Sequence, residues 1–147
     1  VAVDRSAPAL AMAARAAALN GVPLLTARAE AFAEMERLAQ AGETFGVVVV
    51  DPPAFVKTRK DLEPGAKGYR KMARLAAPLV EPGGILLAAS CSHHMPAERF
   101  AEEIAHGLAQ AKRSGRVLRA AGAGPDHPLH PRLPESAYLK ALVFQLD

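Results

Sequence analysis

The fold is decided by the stretch "VVVVDPPAF", Val47 to Phe55. Its run of β-branched residues is continuous rather than alternating, which predicts a strand buried on both faces, as in a parallel sheet. Neither Pro52 nor Pro53 can donate to a β-ladder, so the strand must end at Asp51. Pro52 also favours extended geometry at Asp51. The stretch predicts a rigid corner that presents a carboxylate and backbone carbonyls at the edge of a sheet, and the alternative is a plain strand terminator.

Strand and helix patterns alternate on both sides of this stretch. Strands are predicted over residues 1–4, 22–28, 45–51, 85–92, 115–122 and 137–146. Helices are predicted over residues 6–20, 30–42, 67–81 and 96–113, with loops over 52–66 and 121–136 and a turn over 82–84. This alternation predicts an α/β fold built on a doubly wound, mostly parallel sheet. No linker divides the chain, so residues 1–147 are predicted to form one domain.

Composition narrows the class of protein. Half of the residues are hydrophobic, which excludes a disordered chain. The formal net charge of +3 permits a polyanionic partner without requiring one. No apolar run is long enough to cross a bilayer and no signal peptide is visible, so no membrane partner is expected. The single cysteine, Cys91, cannot form an internal disulfide, which favours a reducing compartment and a cytoplasmic location.

Chemically useful residues follow three of the predicted strands: Asp4, Asp51 and the run Ser90-Cys91-Ser92. In doubly wound sheets, ligands bind beyond the carboxyl ends of the strands, so we expect these ends to converge on one edge. Asp4 would there accept hydrogen bonds from ribose hydroxyls. The alternative for Asp4 is a carboxylate favoured by the dipole of the following helix. Acceptors at the Asp51 corner suit an exocyclic amine of a nucleobase.

Cys91 is either a small buried hydrophobe or a nucleophile. Its place just past a buried strand, close to His93 and His94, favours a thiolate nucleophile. A metal site built from Cys91 with His93, His94, His127 and His130 is a rival interpretation. The spacing matches no standard zinc pattern and there is no second cysteine, so no metal is expected.

A basic run follows the Asp51 corner. Its members are Lys57, Arg59, Lys60, Lys67, Arg70, Lys71 and Arg74, opposed only by Asp61 and Glu63. A solvated helix face is the ordinary explanation for such a run, but its position favours contact with a nucleic-acid backbone. Phe55 and Tyr69 are nearby aromatic residues that we expect to stack on a base.

Taken together, several segments resemble a known family. They are "VDRSAPAL", "AEAF", "VVVVDPPAFVKTRKDLEPGAKGY", "EPGGILLAASCS" and "DHPLHPRLPESAYLKAL", and they cover essentially the whole chain. This combination resembles the bacterial large-subunit rRNA cytosine-5 methyltransferases of the RlmI type. The resemblance implies a Rossmann-like class I methyltransferase fold with an antiparallel last strand, S-adenosylmethionine (SAM) as cofactor, and ribosomal RNA as partner.

The resemblance also implies roles for individual residues. The residues implied for the cofactor are Asp4, Arg5, Glu30, Ala31 and Asp51, where Glu30 departs from the Asp that the family usually has beside the adenine ring. The residues implied for the target base and RNA are Pro52, Pro53, Phe55, Lys57, Tyr69 and Arg70. Cys91 would be the nucleophile, assisted by Asp51. Its thiolate would add to carbon 6 of a cytosine that is unstacked or single-stranded, making carbon 5 reactive enough to take the methyl group.

Two features of the family are absent from this sequence. The glycine-rich turn that follows the family's first strand is missing, together with that strand, and so is an upstream RNA-binding domain. We therefore expect residues 1–147 to be a partial catalytic domain with exposed apolar sheet surface, and to bind cofactor poorly and be inactive alone.

Other functions stay open from the sequence alone. One is an amino-methyltransferase acting on a purine of RNA. Such enzymes have an aromatic residue directly after the prolines, whereas here Ala54 lies between Pro53 and Phe55. Another is a degenerate fold that serves as an RNA-binding module. A nicotinamide-dependent oxidoreductase is remote because no G-x-G-x-x-G occurs. The nucleotide modified, the base that deprotonates carbon 5 and the oligomeric state are not predicted.

Overall fold

The computed structural model describes all residues, Val1–Asp147, and divides the chain into two compact units, Val1–Gly42 and Glu43–Asp147. The sequence patterns predict one partial catalytic domain over the same residues. That interpretation stays a prediction.

The first unit holds two short parallel strands and two helices. They are β1 (Ala2–Asp4), α1 (Ala7–Leu19), β2 (Thr26–Arg28) and α2 (Ala31–Gln40). Asp4 lies opposite Arg28 in the β1–β2 ladder. Ser6 caps α1, where its hydroxyl accepts from the backbone N–H of Ala9 at 3.2 Å, so the predicted N-cap is present.

The second unit holds a four-stranded sheet and two helices. They are β3 (Phe45–Val50), α3 (Leu62–Ala76), β4 (Val80–Ser90), α4 (Ala97–Gln110), β5 (Gly115–Ala121) and β6 (Lys140–Leu146). The strand order is β3-β4-β6-β5, in which β3 and β4 are parallel and β6 runs antiparallel to both neighbours. The antiparallel last strand, inserted between β4 and β5, is the one that the resemblance implies.

Strand β3 differs from its prediction. The continuous valine run predicts burial on both faces, but Val47 and Val49 are 63% and 60% exposed. The reason is that β3 is an edge strand of this sheet, and the face that carries these two valines is uncovered. Burial on both faces is therefore wrong for β3, whereas the expected exposed apolar sheet surface is present.

Helix α3 begins five residues earlier than its predicted start at residue 67 and ends at Ala76 rather than at 81. Pro64 lies in the first turn of α3, where a backbone N–H has no helical partner, so the proline does not disturb the helix. Strand β4 begins at Val80 and pairs with Phe45 before the predicted turn. The register then shifts between Phe45 and Val47, and this irregularity accommodates the turn residues, where Gly83 has a φ of +78°.

The core of the second unit lies where α3 and α4 pack against each other and against the sheet. Its largest fully buried apolar side chains are Tyr69, Phe100, Met72, Leu86, Met95, Ile104 and Leu146. One charged side chain is buried with them: Glu103 on α4 is 1% exposed. It accepts from Arg70 of α3 at 2.6 Å and from Arg99 at 2.9 Å. The hydrogen bond from Arg70 is the main cause that lowers the pKa of Glu103, against the opposing effect of burial.

We expect Glu103→Gln to destabilise the chain at neutral pH by about 1–3 kcal/mol. Removing the carboxylate leaves Arg70 without its partner, whereas Arg99 keeps its contact with Glu63 at 3.1 Å. Arg70 and Arg99 are each about one-third exposed, so water offsets part of the loss. The pKa of Glu103 is lowered from an ordinary value of 4.5. The ionic contribution is therefore fully present above that value and is lost as the pH falls through the lower, folded-state pKa.

Urea unfolding at several pH values checks this prediction. The difference between wild type and Glu103→Gln should shrink in acid. Glu102→Gln, at an exposed position of the same helix, is the control and should stay within about 0.5 kcal/mol of wild type. A difference that persists unchanged in acid would contradict the ionic explanation.

Candidate active site

The carboxyl ends of β3 and β4 lie side by side. The two strands are parallel, and Val50 lies opposite Ala88 in their ladder. Asp51, Pro52 and Pro53 therefore follow β3 next to the point where Ser90-Cys91-Ser92 follows β4. The expected convergence of strand ends is observed for these two. Asp4 ends β1 in the first compact unit.

Cys91 is half-buried between the two strand ends. Its Sγ lies 3.9 Å from the carbonyl oxygen of Pro52, to which the thiol donates. Asp51 and Pro53 are exposed, whereas Pro52 is half-buried. The sulfur is thus held against the backbone of the corner, and the carboxylate of Asp51 remains open to solvent.

A buried chain of hydroxyl groups fixes the two strand ends to each other. The Tyr69 hydroxyl lies 2.7 Å from Ser90 Oγ and 2.8 Å from Ser92 Oγ. Ser92 Oγ also accepts from the backbone N–H of Val56 at 3.1 Å. All three hydroxyl-bearing residues are 0% exposed. Cys91 therefore lies between two anchored serines, and one of these serines is bonded to the loop that follows the Asp51 corner.

Tyr69 and Arg70 both form contacts within the protein. The Tyr69 ring is buried, with ring centroids 4.8 Å from Phe55 and 5.1 Å from Phe100, so no base can stack on it in this structure. The Arg70 guanidinium is bound to Glu103. Tyr69 thus belongs to the packing of α3 and Arg70 to an ion pair with α4, and the RNA contacts expected of them stay predictions. Phe55 is half-buried and Lys57 is exposed.

Lys140 is a site residue that the motif reasoning does not predict. It is the first residue of β6 and lies opposite Ser90 in the β4–β6 ladder. Its Nζ donates to the backbone oxygen of Ser92 at 2.7 Å. Burial lowers the pKa of Lys140, while the nearby charge of Cys91 opposes that shift. The available signal is a lysine at the start of a mostly apolar strand, "KALVFQL".

The histidines are separate from the sulfur. His93 and His94 contact each other, with ring centroids 4.9 Å apart, and neither forms a hydrogen bond with Cys91. The structure thus shows no hydrogen bond through which a histidine would favour the thiolate of Cys91. No group of three or more potential metal ligands gathers in the chain.

The residues implied for the cofactor in the first unit are exposed: Asp4, Arg5, Glu30 and Ala31. Asp4 Oδ1 accepts from the N–H of Ser6 at 2.7 Å. Glu30 caps α2, where its Oε2 accepts from Ala33 at 3.0 Å. Each carboxylate therefore uses one oxygen within its own loop and leaves the other unbonded.

The structure contains no helix with the length and apolar character needed to cross a membrane.

Comparisons with known proteins agree with this geometry. No protein-family model matches the chain. It is 36% identical over 144 residues to Ribosomal RNA large subunit methyltransferase I of Aeromonas salmonicida, an alignment that covers 96% of this chain and 36% of that protein. The protein of the same name from Cronobacter sakazakii is 36% identical over 146 residues, covering 97% and 37%. The chain thus spans about a third of the length of these relatives.

Solved structures show the same fold. SMU.776, described as a methyltransferase and crystallised with SAH, superposes with a TM-score of 0.78 at 18% identity, covering 97% of this chain and 38% of that one. A SAM-dependent methyltransferase from Streptococcus mutans gives a TM-score of 0.78 at 19% identity, covering 97% and 37%. The expected Rossmann-like methyltransferase fold is confirmed, and the chain is similar over nearly its whole length to about a third of a Ribosomal RNA large subunit methyltransferase I.

Proposed function

We propose that this chain carries the base-binding and nucleophilic part of a SAM-dependent methyltransferase that modifies carbon 5 of a cytosine in ribosomal RNA. One observation carries the proposal. Cys91, the only cysteine of the chain, is held half-buried at the carboxyl end of β4, against the Asp51-Pro52-Pro53 corner. The similarity to named ribosomal RNA methyltransferases supports the substrate class.

Cys91 acts first as nucleophile. Its thiolate forms a bond to carbon 6 of the cytosine ring, which places an enamine-like electron pair on carbon 5. SAM, when bound, supplies an electrophilic methyl group to that carbon. A base then removes the proton from carbon 5, and the sulfur–carbon 6 bond breaks to release the thiolate. The nucleophile is regenerated, so no oxidant or reductant is needed.

The Asp51 corner holds the target base. Asp51 is an exposed carboxylate on a backbone that the two following prolines stiffen. An acceptor there can bind the exocyclic amine of cytosine and share a proton with ring nitrogen 3 as charge develops during addition. The half-buried Phe55 lies in the loop after the corner and is the aromatic residue there that remains partly open to a base.

The carboxylates of the first unit fit the polar groups of SAM. Asp4 and Glu30 each have one carboxylate oxygen without a hydrogen bond. Such oxygens can accept hydrogen bonds from ribose hydroxyls. Arg5 and Ala31 follow these two residues directly and are exposed beside them.

The loop after the corner suits an RNA backbone. Lys57, Arg59 and Lys60 are exposed. Asp61, the nearest acidic residue, is bonded to the N–H and hydroxyl of Thr58, at 2.9 and 2.8 Å. The positive charge of the loop is therefore free to contact phosphates.

A free nucleophilic thiol also requires a reducing compartment, which is the cytoplasm in this proposal.

The test is covalent trapping. This chain would be assayed alone, and as a chimera in which it replaces the matching segment of the Aeromonas salmonicida relative, with tritiated SAM and large-subunit rRNA fragments containing 5-fluorocytidine. Fluorine at carbon 5 blocks removal by the base, so a methylated protein–RNA adduct should accumulate. In Cys91→Ala the adduct should vanish and methylation should fall by on the order of 10³-fold or more.

The other outcomes separate the rival functions. Methyl transfer that persists in Cys91→Ala without any adduct would indicate an amino-methyltransferase acting on a purine. A folded chimera that binds RNA but transfers no methyl group would indicate an RNA-binding module. Retained SAH binding in Cys91→Ala is the control for correct folding.

A further inference from the structure

Lys140 contacts the backbone on the carboxyl side of Cys91. Its Nζ donates to the oxygen of Ser92 at 2.7 Å, and its backbone pairs with Ser90 across the β4–β6 ladder. The lysine therefore bridges the residues on both sides of the sulfur. Lys140 is half-buried, and burying an ammonium group away from water costs free energy that a carbonyl contact alone offsets only in part.

The hydrogen bonding of the Cys91 sulfur shows why a nearby positive charge would matter there. The only hydrogen bond of Cys91 runs from its thiol to the carbonyl oxygen of Pro52. When the thiol loses its proton this bond disappears, and the anion faces the negative end of a carbonyl dipole. No backbone or side-chain donor bonds to Sγ. A nearby positive charge would stabilise the thiolate, and neither His93 nor His94 forms a hydrogen bond with the sulfur.

Electrostatic coupling between Lys140 and Cys91 is mutual. The charge of Cys91 acts to raise the pKa of Lys140, against the larger effect of burial, which lowers that pKa. The ammonium group of Lys140, held on the carbonyl of the residue that follows Cys91, is a positive charge that attracts an anion at that sulfur.

We propose that Lys140 is the positioning residue of the nucleophile: it braces the Ser90–Ser92 turn and supplies the positive charge beside which the Cys91 thiolate forms. This inference rests on the proposed role of Cys91. Its rival is a purely structural lysine that only satisfies the Ser92 carbonyl. The two differ in one respect, because only the first requires the charge.

Cys91 is the single cysteine, so alkylation of the full 147-residue chain reports on one sulfur. The experiment compares anionic iodoacetate with neutral iodoacetamide near neutral pH, in wild type, Lys140→Gln and Lys140→Arg. Gln keeps a donor for the Ser92 carbonyl without the charge, whereas Arg keeps the charge. Lys112→Gln removes an exposed lysine after α4 and is the matched control for net charge.

In Lys140→Gln, we expect the iodoacetamide rate to fall about three- to tenfold, the range for loss of one neighbouring charge. The rate ratio of iodoacetate to iodoacetamide should fall further, because the anionic reagent also loses attraction. Lys140→Arg and Lys112→Gln should stay within about twofold of wild type. Equal losses with both reagents, unchanged rates in Lys140→Gln, or failure of Lys140→Arg to preserve the ratio would overturn the proposal.

A measurement on wild type needs no variant to fold. Raising salt from about 10 mM to about 1 M should lower the iodoacetate to iodoacetamide ratio, because salt screens a nearby charge. A ratio that does not respond to salt would contradict the proposal. Neither measurement uses SAM or RNA, so its failure is distinguishable from failure of the covalent-trapping experiment.

Discussion

Gly107→Ala is expected to destabilise the chain by about 2–3 kcal/mol, although the same change in an ordinary helix interior stabilises by about 1 kcal/mol. Gly107 lies on α4 at its closest approach to α3. A Cβ placed there would lie 2.6 Å from the Cβ of Ala73 and 3.0 Å from the backbone nitrogen of Arg74, and would also meet the carbonyl oxygen of Arg70. Two of these three atoms belong to the backbone, so the helices would have to separate.

The expected loss of stability is opposite in sign to the gain that helix propensity alone predicts for Gly107→Ala. Urea unfolding of wild type and Gly107→Ala measures the free energy of unfolding. Ala105→Gly, at an exposed position of the same helix, is the control, and its expected cost of about 1 kcal/mol measures helix propensity alone. Stabilisation by Gly107→Ala would show that propensity outweighs the steric cost and that the α3–α4 contact is looser than described.

This contact also shows why local patterns predicted the elements better than the packing. The order of helices and strands follows from apolar periodicity, Ser6 and the prolines after Asp51, all of which act within a few residues. The close approach at Gly107 depends on α3, more than thirty residues earlier in the chain. No pattern within α4 distinguishes this glycine from one that merely weakens a helix.

The internal contacts of Tyr69 and Arg70 are not predicted from the sequence for a related reason. Both lie in a basic segment, and charge together with aromatic character suggested an RNA contact. The periodicity of α3 indicates the packing of Tyr69, because Tyr69, Met72, Ala73 and Ala76 recur at helical spacing and all are buried. Tyr69 belongs to that apolar stripe, so its hydroxyl reaches a buried partner rather than solvent.

The sequence predicts those parts of the candidate site that directly follow a recognisable strand. Asp51 and Cys91 follow strands that were recognised from their composition, and parallel pairing brings their strand ends together. Lys140 could not be placed in the same way. It lies at the site only because β6 runs antiparallel beside β4 with Lys140 opposite Ser90. The two strands are fifty residues apart, and the sequence of neither strand predicts this register.

The buried hydroxyl chain connects these elements, and Tyr69→Phe is expected to cost about 1–3 kcal/mol. Removing the Tyr69 hydroxyl leaves Ser90 Oγ without its acceptor and Ser92 Oγ without one of its two partners, and both serines are 0% exposed. Water cannot replace the lost contacts without opening the packing between Phe55 and Phe100.

Tyr138→Phe is the matched control, because Tyr138 is the other tyrosine of the chain, is only half-buried and forms no hydrogen bond through its hydroxyl. It should stay within about 0.5 kcal/mol of wild type in urea unfolding. The Cys91 turn should also open more often in Tyr69→Phe, so alkylation by neutral iodoacetamide under native conditions should become faster. Unchanged stability together with unchanged alkylation would mean that the serines alone hold the turn; a loss of stability with slower alkylation would mean that the hydroxyl chain exposes the sulfur rather than restrains it.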